Sequence, residues 1–124
     1  MKTAHPVIAG ILLLAIHAIL ASLSLYQQYP VLDIPMHFFG GVIVAWFFVA
    51  YVKSEQHKMS RLAWLVCIIG GTALVGVVWE FYEWAMDTFV FPETQFMGGL
   101  NDTLFDLAMD LFGACVVTTI MRRK

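Results

Sequence analysis

Long apolar runs separated by short polar stretches set the expected elements of this chain. Residues 7–25 carry no formal charge, and as a helix they rise about 28 Å, the thickness of a bilayer's hydrocarbon core. Further runs cover about 34–52, 62–86 and 102–121. The pattern predicts an all-α polytopic membrane protein, with residues 1–124 forming one four-transmembrane-helix bundle. Tyr26-Gln27-Gln28-Tyr29-Pro30 reads as a turn at the membrane interface. Asp33 is expected to begin the second helix, with an N-cap role as the structural alternative to a functional one, and Pro35 is tolerated in its first turn. Gly41 with Ala45, and Thr72 with Gly76, are small residues four apart that predict close helix contacts. The longest connection, 88–101, carries Phe89, Phe91 and Phe96 and ends in Gly98-Gly99. It is expected to lie on the membrane surface or fold over a site.

Composition strengthens the membrane reading. Hydrophobic residues make up 60% of the chain and charged residues 13%, with a mean hydropathy of +0.79. Ordinary soluble domains are about 45–50% apolar and about 25% charged. Lys2 ahead of the first run invites a signal-peptide interpretation, but the length of that run and the three that follow predict a retained helix. Cys67 and Cys115 lie inside apolar runs without a CxxC pattern, so they are expected to be packing residues and not a disulfide. His17, near the middle of the first span, is expected to pack or hydrogen-bond more readily than to ligate.

The charges then orient the bundle. Four spans put the N-terminus, the loop between spans two and three and the C-terminus on one side. All seven basic residues are there: Lys2, Lys53, Lys58, Arg61, Arg122, Arg123 and Lys124. The positive-inside rule predicts N-in, C-in. Of the nine acids only Glu55 shares that side. Asp33, Glu80, Glu83, Asp87, Glu93, Asp102, Asp106 and Asp110 fall in or at the edge of the opposite half, joined by His37. Counted from the expected outer ends, His37 and Glu83 lie about 5 Å deep, Glu80 about 10 Å and Asp110 about 12 Å. On a helix, Glu80, Glu83 and Asp87 share one stripe, and Asp102, Asp106 and Asp110 recur every four residues.

Carboxylates crowded at low dielectric need a counter-charge. No Lys or Arg is within reach, and His37 supplies one positive charge at most. Protons or metal cations remain. The donor set of hard oxygens plus imidazole suits Mg²⁺, Mn²⁺, Ca²⁺ or Fe²⁺, with Zn²⁺ reachable through His37. The expected ligands of a divalent metal cation are Asp33, His37, Glu80, Glu83, Asp102, Asp106 and Asp110, with Asp33 and Asp102 bridging or supporting. Bundle di-metal sites are built from inward carboxylates and histidines in this way. Their ExxH pairs are absent here, replaced by Glu80-x-x-Glu83 and Asp33-x-x-x-His37. Single acids of this kind also serve as protonated structural glue. Asp87, Glu93 and Asp102, nearer water, suit capping or solvation equally well. Trp79, Phe81, Tyr82 and Trp84 suit an interfacial belt better than a substrate cage.

Asp33-x3-His37-Phe38, Trp79-Glu80-x2-Glu83 and Asp102-Thr103-x2-Asp106 with Asp110 and Gly113 together resemble the YjdF-type bacterial inner-membrane proteins. They are more distantly similar to VanZ-like proteins. The resemblance covers spans two to four and implies a small multi-pass protein of the bacterial inner (cytoplasmic) membrane with intramembrane acids. It implies no particular reaction.

Three functions fit these residues. One is metal-centred, hydrolase-type chemistry on a lipid or cell-envelope substrate, with catalytic residues unassigned. A second is cation or proton transport or sensing, for which a homodimer would supply a path. The third is a structural membrane protein stapled by its metal. The lipid bilayer is the expected partner. Nucleic acid is not, because the basic residues form only short loop clusters.

Overall fold

The computed structural model describes residues 3–92 and 97–121. The expectations placed on Lys2, Glu93, Phe96, Arg122, Arg123 and Lys124 lie outside the described residues. Four long helices dominate: α1 (Ala4–Ser22), α3 (Asp33–Tyr51), α4 (Arg61–Ala85) and α5 (Leu100–Ile120), with the single turn α2 (Leu25–Gln28) between the first two. All four are long and apolar enough to cross a membrane, and the described residues contain no strand. In hydrocarbon every backbone N–H and C=O must find an internal partner, which a helix provides along its own length. Outward apolar side chains such as Leu12, Leu74, Val78 and Phe112, each more than half exposed, form the lipid-facing surface.

Several boundaries differ from the sequence expectation. The first helix starts at Ala4 and stops at Ser22, because Ser24 adopts a left-handed backbone (φ 53°) that breaks the spiral before α2. Asp33 is not an N-cap. A 3-10 turn at Pro30–Leu32 leads directly into α3, so Leu32 holds the cap position and Asp33 is the first helical residue. The polar loop before α4 folds as two 3-10 turns, and Ser60 caps α4 by accepting from the Ala63 N–H at 3.1 Å. Beyond Ala85 the helix widens into a π-turn, Met86–Val90, which shortens the expected connection. Gly99, at φ 103°, has a backbone that side-chain-bearing residues rarely adopt, and it launches α5.

The helices α3, α4 and α5 pack mutually, and α1 lies along α3. Lipid tails are as apolar as leucine, so association relies on tight fit and not on exclusion of water. The closest crossing is α3 on α5. A Cβ on Gly41 would strike the Asp110 backbone carbonyl, and a Cβ on Gly113 would sit 2.5 Å from the Phe38 carbonyl oxygen. The small pair at Gly41 and Ala45 therefore makes the contact its spacing predicts. Toward the end that carries the Lys53–Arg61 loop, Ala45, Val49, Trp64, Ile68, Ala114 and Val117 form an apolar core. Toward the other end the interior is polar. Cys67 and Cys115 are free thiols, Cys115 on the outer surface.

Candidate metal centre

Three helix segments converge at the polar end: the start of α3, the end of α4 and the start of α5. Helical spacing of three or four residues turns Glu80 with Glu83, and Asp106 with Asp110, onto single inward faces. His37, Glu80, Glu83, Asp106 and Asp110 are all buried, and the Asp33 side chain is 17% exposed.

His37 is the hub. Its Nε2 stands 3.8 Å from Asp33 Oδ1, 3.9 Å from Glu80 Oε1 and 4.0 Å from Asp106 Oδ2. These separations are too long for hydrogen bonds. Its Nδ1 faces Asp110 Oδ2 at 3.4 Å. Neither His37 Nε2 nor either Glu80 oxygen makes a hydrogen bond of full geometry among the described residues, although all three atoms are fully buried; the Thr103 hydroxyl, itself buried, is a side-chain donor beside Glu80. Two triads place ligand atoms within 4.8 Å of one another: Asp33, His37 and Asp106, and His37, Glu80 and Glu83. Ligands held at about 2.1–2.5 Å from one cation stand about 3–5 Å apart, so both triads have cation-binding dimensions.

Asp110 occupies a different position from the rest. Its carboxylate lies against the side of His37 away from the triads, in space left by Gly76, where a Cβ would come 2.5 Å from Asp110 Oδ2. A carboxylate on one imidazole nitrogen fixes the tautomer that leaves the other nitrogen free as a ligand. Asp110 is thereby placed to orient His37, and it stands outside both triads.

The remaining acids separate from the cluster. Asp102 is exposed and accepts from the Gly98 N–H at 3.1 Å, also outside the triads. Asp87 accepts from the Met97 N–H at 2.7 Å. The acidic stripes on α4 and α5 thus divide, with inner members at the hub and outer members holding the adjacent Met97 and Gly98 backbone that leads into α5. Phe89 and Phe91 on that connection are exposed, and the Phe89 ring packs edge-on to Trp84.

A second layer was only partly visible from sequence. Trp79 Nε1 donates to Glu83 Oε1 at 2.9 Å, a pairing that i, i+4 spacing suggests. His17 packs edge-on against Trp79, with centroids 4.9 Å apart, and its Nδ1 lies 2.9 Å from the Tyr26 hydroxyl. Burial pushes the Tyr26 phenol above its ordinary range, so this hydroxyl keeps its proton. Helix α1 thereby reaches the cluster through Trp79. Only the presence of a histidine in an uncharged span hinted at this link.

The architecture defines a polytopic membrane protein of four apolar helices with a buried carboxylate–histidine cluster at one end. The chain belongs to the family described as "Predicted membrane protein (DUF2238)", which matches residues 3–124. It is also 28% identical over 112 residues to an uncharacterized protein of Thermotoga maritima, an alignment covering 88% of this chain and 57% of that protein. The chain thus spans little more than half the length of that curated relative. No solved structure matches.

Proposed function

We propose that this chain is a YjdF-type protein of the bacterial inner membrane that holds a divalent cation at the His37 hub, in the outward-facing half of the bundle. The observation that carries this reading is the buried, unpartnered set of His37 Nε2 and both Glu80 oxygens, contributed by different helices. Leaving such groups dry and unpaired costs several kcal/mol in hydrocarbon, roughly 2–7 for each polar group. A cation bound by His37 with Asp33 and Asp106, or with Glu80 and Glu83, removes that cost. When bound, it supplies a Lewis acid that polarises a carbonyl or phosphoryl oxygen and acidifies water. Asp110 holds the His37 ring in place. Lipid or cell-envelope chemistry at the membrane surface is the activity this arrangement serves.

Transport across the bilayer has less support. Beyond Thr72, whose hydroxyl is bonded to the Ile68 carbonyl at 2.8 Å, the bundle interior is the apolar core described above. No acid among the described residues continues the path through it.

Elemental analysis of the protein purified without chelator tests the reading. About one equivalent of divalent metal is expected, lost in His37→Ala and Glu80→Ala. Absence of metal, with no uptake on titration, overturns it.

A further inference from the structure

A cavity of about 320 Å³ lies between α1, α3 and α4. It forms because α1 packs along α3 and not along α4. The two outer helices meet near the cluster, where His17 stands edge-on to Trp79 with centroids 4.9 Å apart. The long walls of the cavity are Leu13, Leu14, Ile43, Val44 and Val75. Asp33, His37 and His17 line the end toward the cluster, and Gly10 and Thr72 line the opposite end. From Asp33 to Val44 the lining of α3 extends about 16 Å along the helix. Leu14 and Val75, on facing helices, are 53% and 41% exposed, so the slot opens sideways into lipid.

We propose that this slot takes one acyl chain of an ester-linked lipid from the leaflet opposite the Lys53–Arg61 loop, and that the ester carbonyl comes to the end lined by Asp33 and His37. This deepens the proposed function by naming the substrate class, an acyl ester, and it rests on that reading for the cation at His37. Three features point to this occupant. The first is direction. The slot runs along the helices with its polar end at the membrane boundary and its apolar end toward the bilayer middle, as a lipid stands in that leaflet. The second is the sideways opening. Lipid tails are the surrounding solvent there, and about ten methylene-sized groups fill the volume. Tails are as apolar as the walls, so filling the slot gains contacts without preferring one chain over another, and the head group decides the occupant. The third is depth. The 19 residues of α3 rise about 28 Å, close to the thickness of the hydrocarbon, so Asp33 stands at its boundary. His37 lies about 6 Å inside that boundary. Ester carbonyls are the first polar groups of a lipid above its hydrocarbon, and the phosphate stands farther out, in a head-group layer about 5–7 Å thick. A chain seated in the slot therefore meets the cluster with its carbonyl and leaves its phosphate at the surface. A carbonyl is also a hard oxygen donor of the kind divalent cations accept.

The test uses the full chain in nanodiscs of diether phosphatidylcholine, which has no carbonyl. Two matched probes are added, each with a diazirine in one chain: a diester phosphatidylcholine, and its diether analogue that keeps the phosphate. After photolysis, adducts are mapped by mass spectrometry, and metal is measured on the same samples with and without chelator. The diester is expected to label residues 10–17, 36–44 and 72–79 roughly tenfold more than the diether, the effect of one contact to a charged group. Chelator is expected to remove that preference. Gly10→Leu intrudes at the tail end of the slot, away from the cluster, where a Cβ would lie 3.7 Å from Ile43. It is expected to lower slot labelling roughly fivefold or more, with metal content unchanged. Leu14→Trp fills the slot from the same helix and is expected to act in the same direction. Equal slot labelling by diester and diether in protein that holds metal overturns the proposal and leaves the metal reading standing. Adducts scattered over lipid-facing positions such as Ile11, Val78 and Leu111 do the same. A diester preference at the slot in protein without metal sustains the acyl-ester site and defeats the metal reading. Equal labelling in protein without metal overturns both.

Discussion

The two halves of this bundle are built on the same helices and solve opposite problems. Toward the Lys53–Arg61 loop, α3, α4 and α5 meet through Ala45, Val49, Ile68, Ala114 and Val117. The contacts there are apolar, and the buried Trp64 indole is an unpartnered polar group among them. Toward the other end the same helices bring together His37 and five carboxylates, and His37 Nε2 and both Glu80 oxygens are buried there without a hydrogen-bond partner. The glycine crossing at Gly41 and Gly113 divides the halves and clamps both. The contrast teaches that one half is held by apolar fit, while the other gathers a buried electrostatic demand that the proposed cation would satisfy.

The largest expected effect comes from breaking the divide itself. Gly113→Leu places a side chain into the α3 backbone and is expected to cost about 3 kcal/mol or more, read as loss of folded, monodisperse protein. Ile68→Ala, wholly within the apolar half, is expected to destabilise by about 2–4 kcal/mol by leaving a cavity, with metal content retained. Glu80→Gln should give the opposite result. Metal binding is lost, while the metal-free form unfolds at the same temperature as the metal-free native protein or higher, because a buried repulsion has been removed. Chelator added to the native protein lowers the melting temperature, since metal at a hundredfold excess over its dissociation constant stabilises by about 2.7 kcal/mol. Glu80→Gln should abolish that difference. Asp110→Asn sharpens the comparison further. With Asp110 assigned to orienting His37 through Nδ1 in the proposed site, the substitution should weaken metal binding by about 10–100-fold without eliminating it, whereas complete loss would make Asp110 a ligand. Cys115→Ser, on the lipid face, is expected to change stability by less than about 0.5 kcal/mol.

The spans were legible because uncharged runs of membrane length have few alternative structures, and the acids were legible because they share a depth without basic partners. Helix ends were less so. Asp33 begins α3 as expected, but the Pro30–Leu32 turn leaves the cap position to Leu32, and the Ser24 backbone cut α1 short. Membership of the cluster was legible for Asp33, His37, Glu80, Glu83, Asp106 and Asp110, whose spacings put them on inward faces. The contacts of Asp102 and Asp110 depended on details that spacing does not carry. Asp102 is taken by the Gly98 backbone, and Asp110 slides over Gly76 to the far side of the His37 ring.

Manganese loaded into the purified protein tests the central claim most directly, read by electron spin echo for nitrogen coupled to the bound ion. A single bound Mn²⁺ with imidazole nitrogen coupling, lost in His37→Gln, is the predicted result. Bound manganese without that coupling, or coupling that survives His37→Gln, contradicts the account.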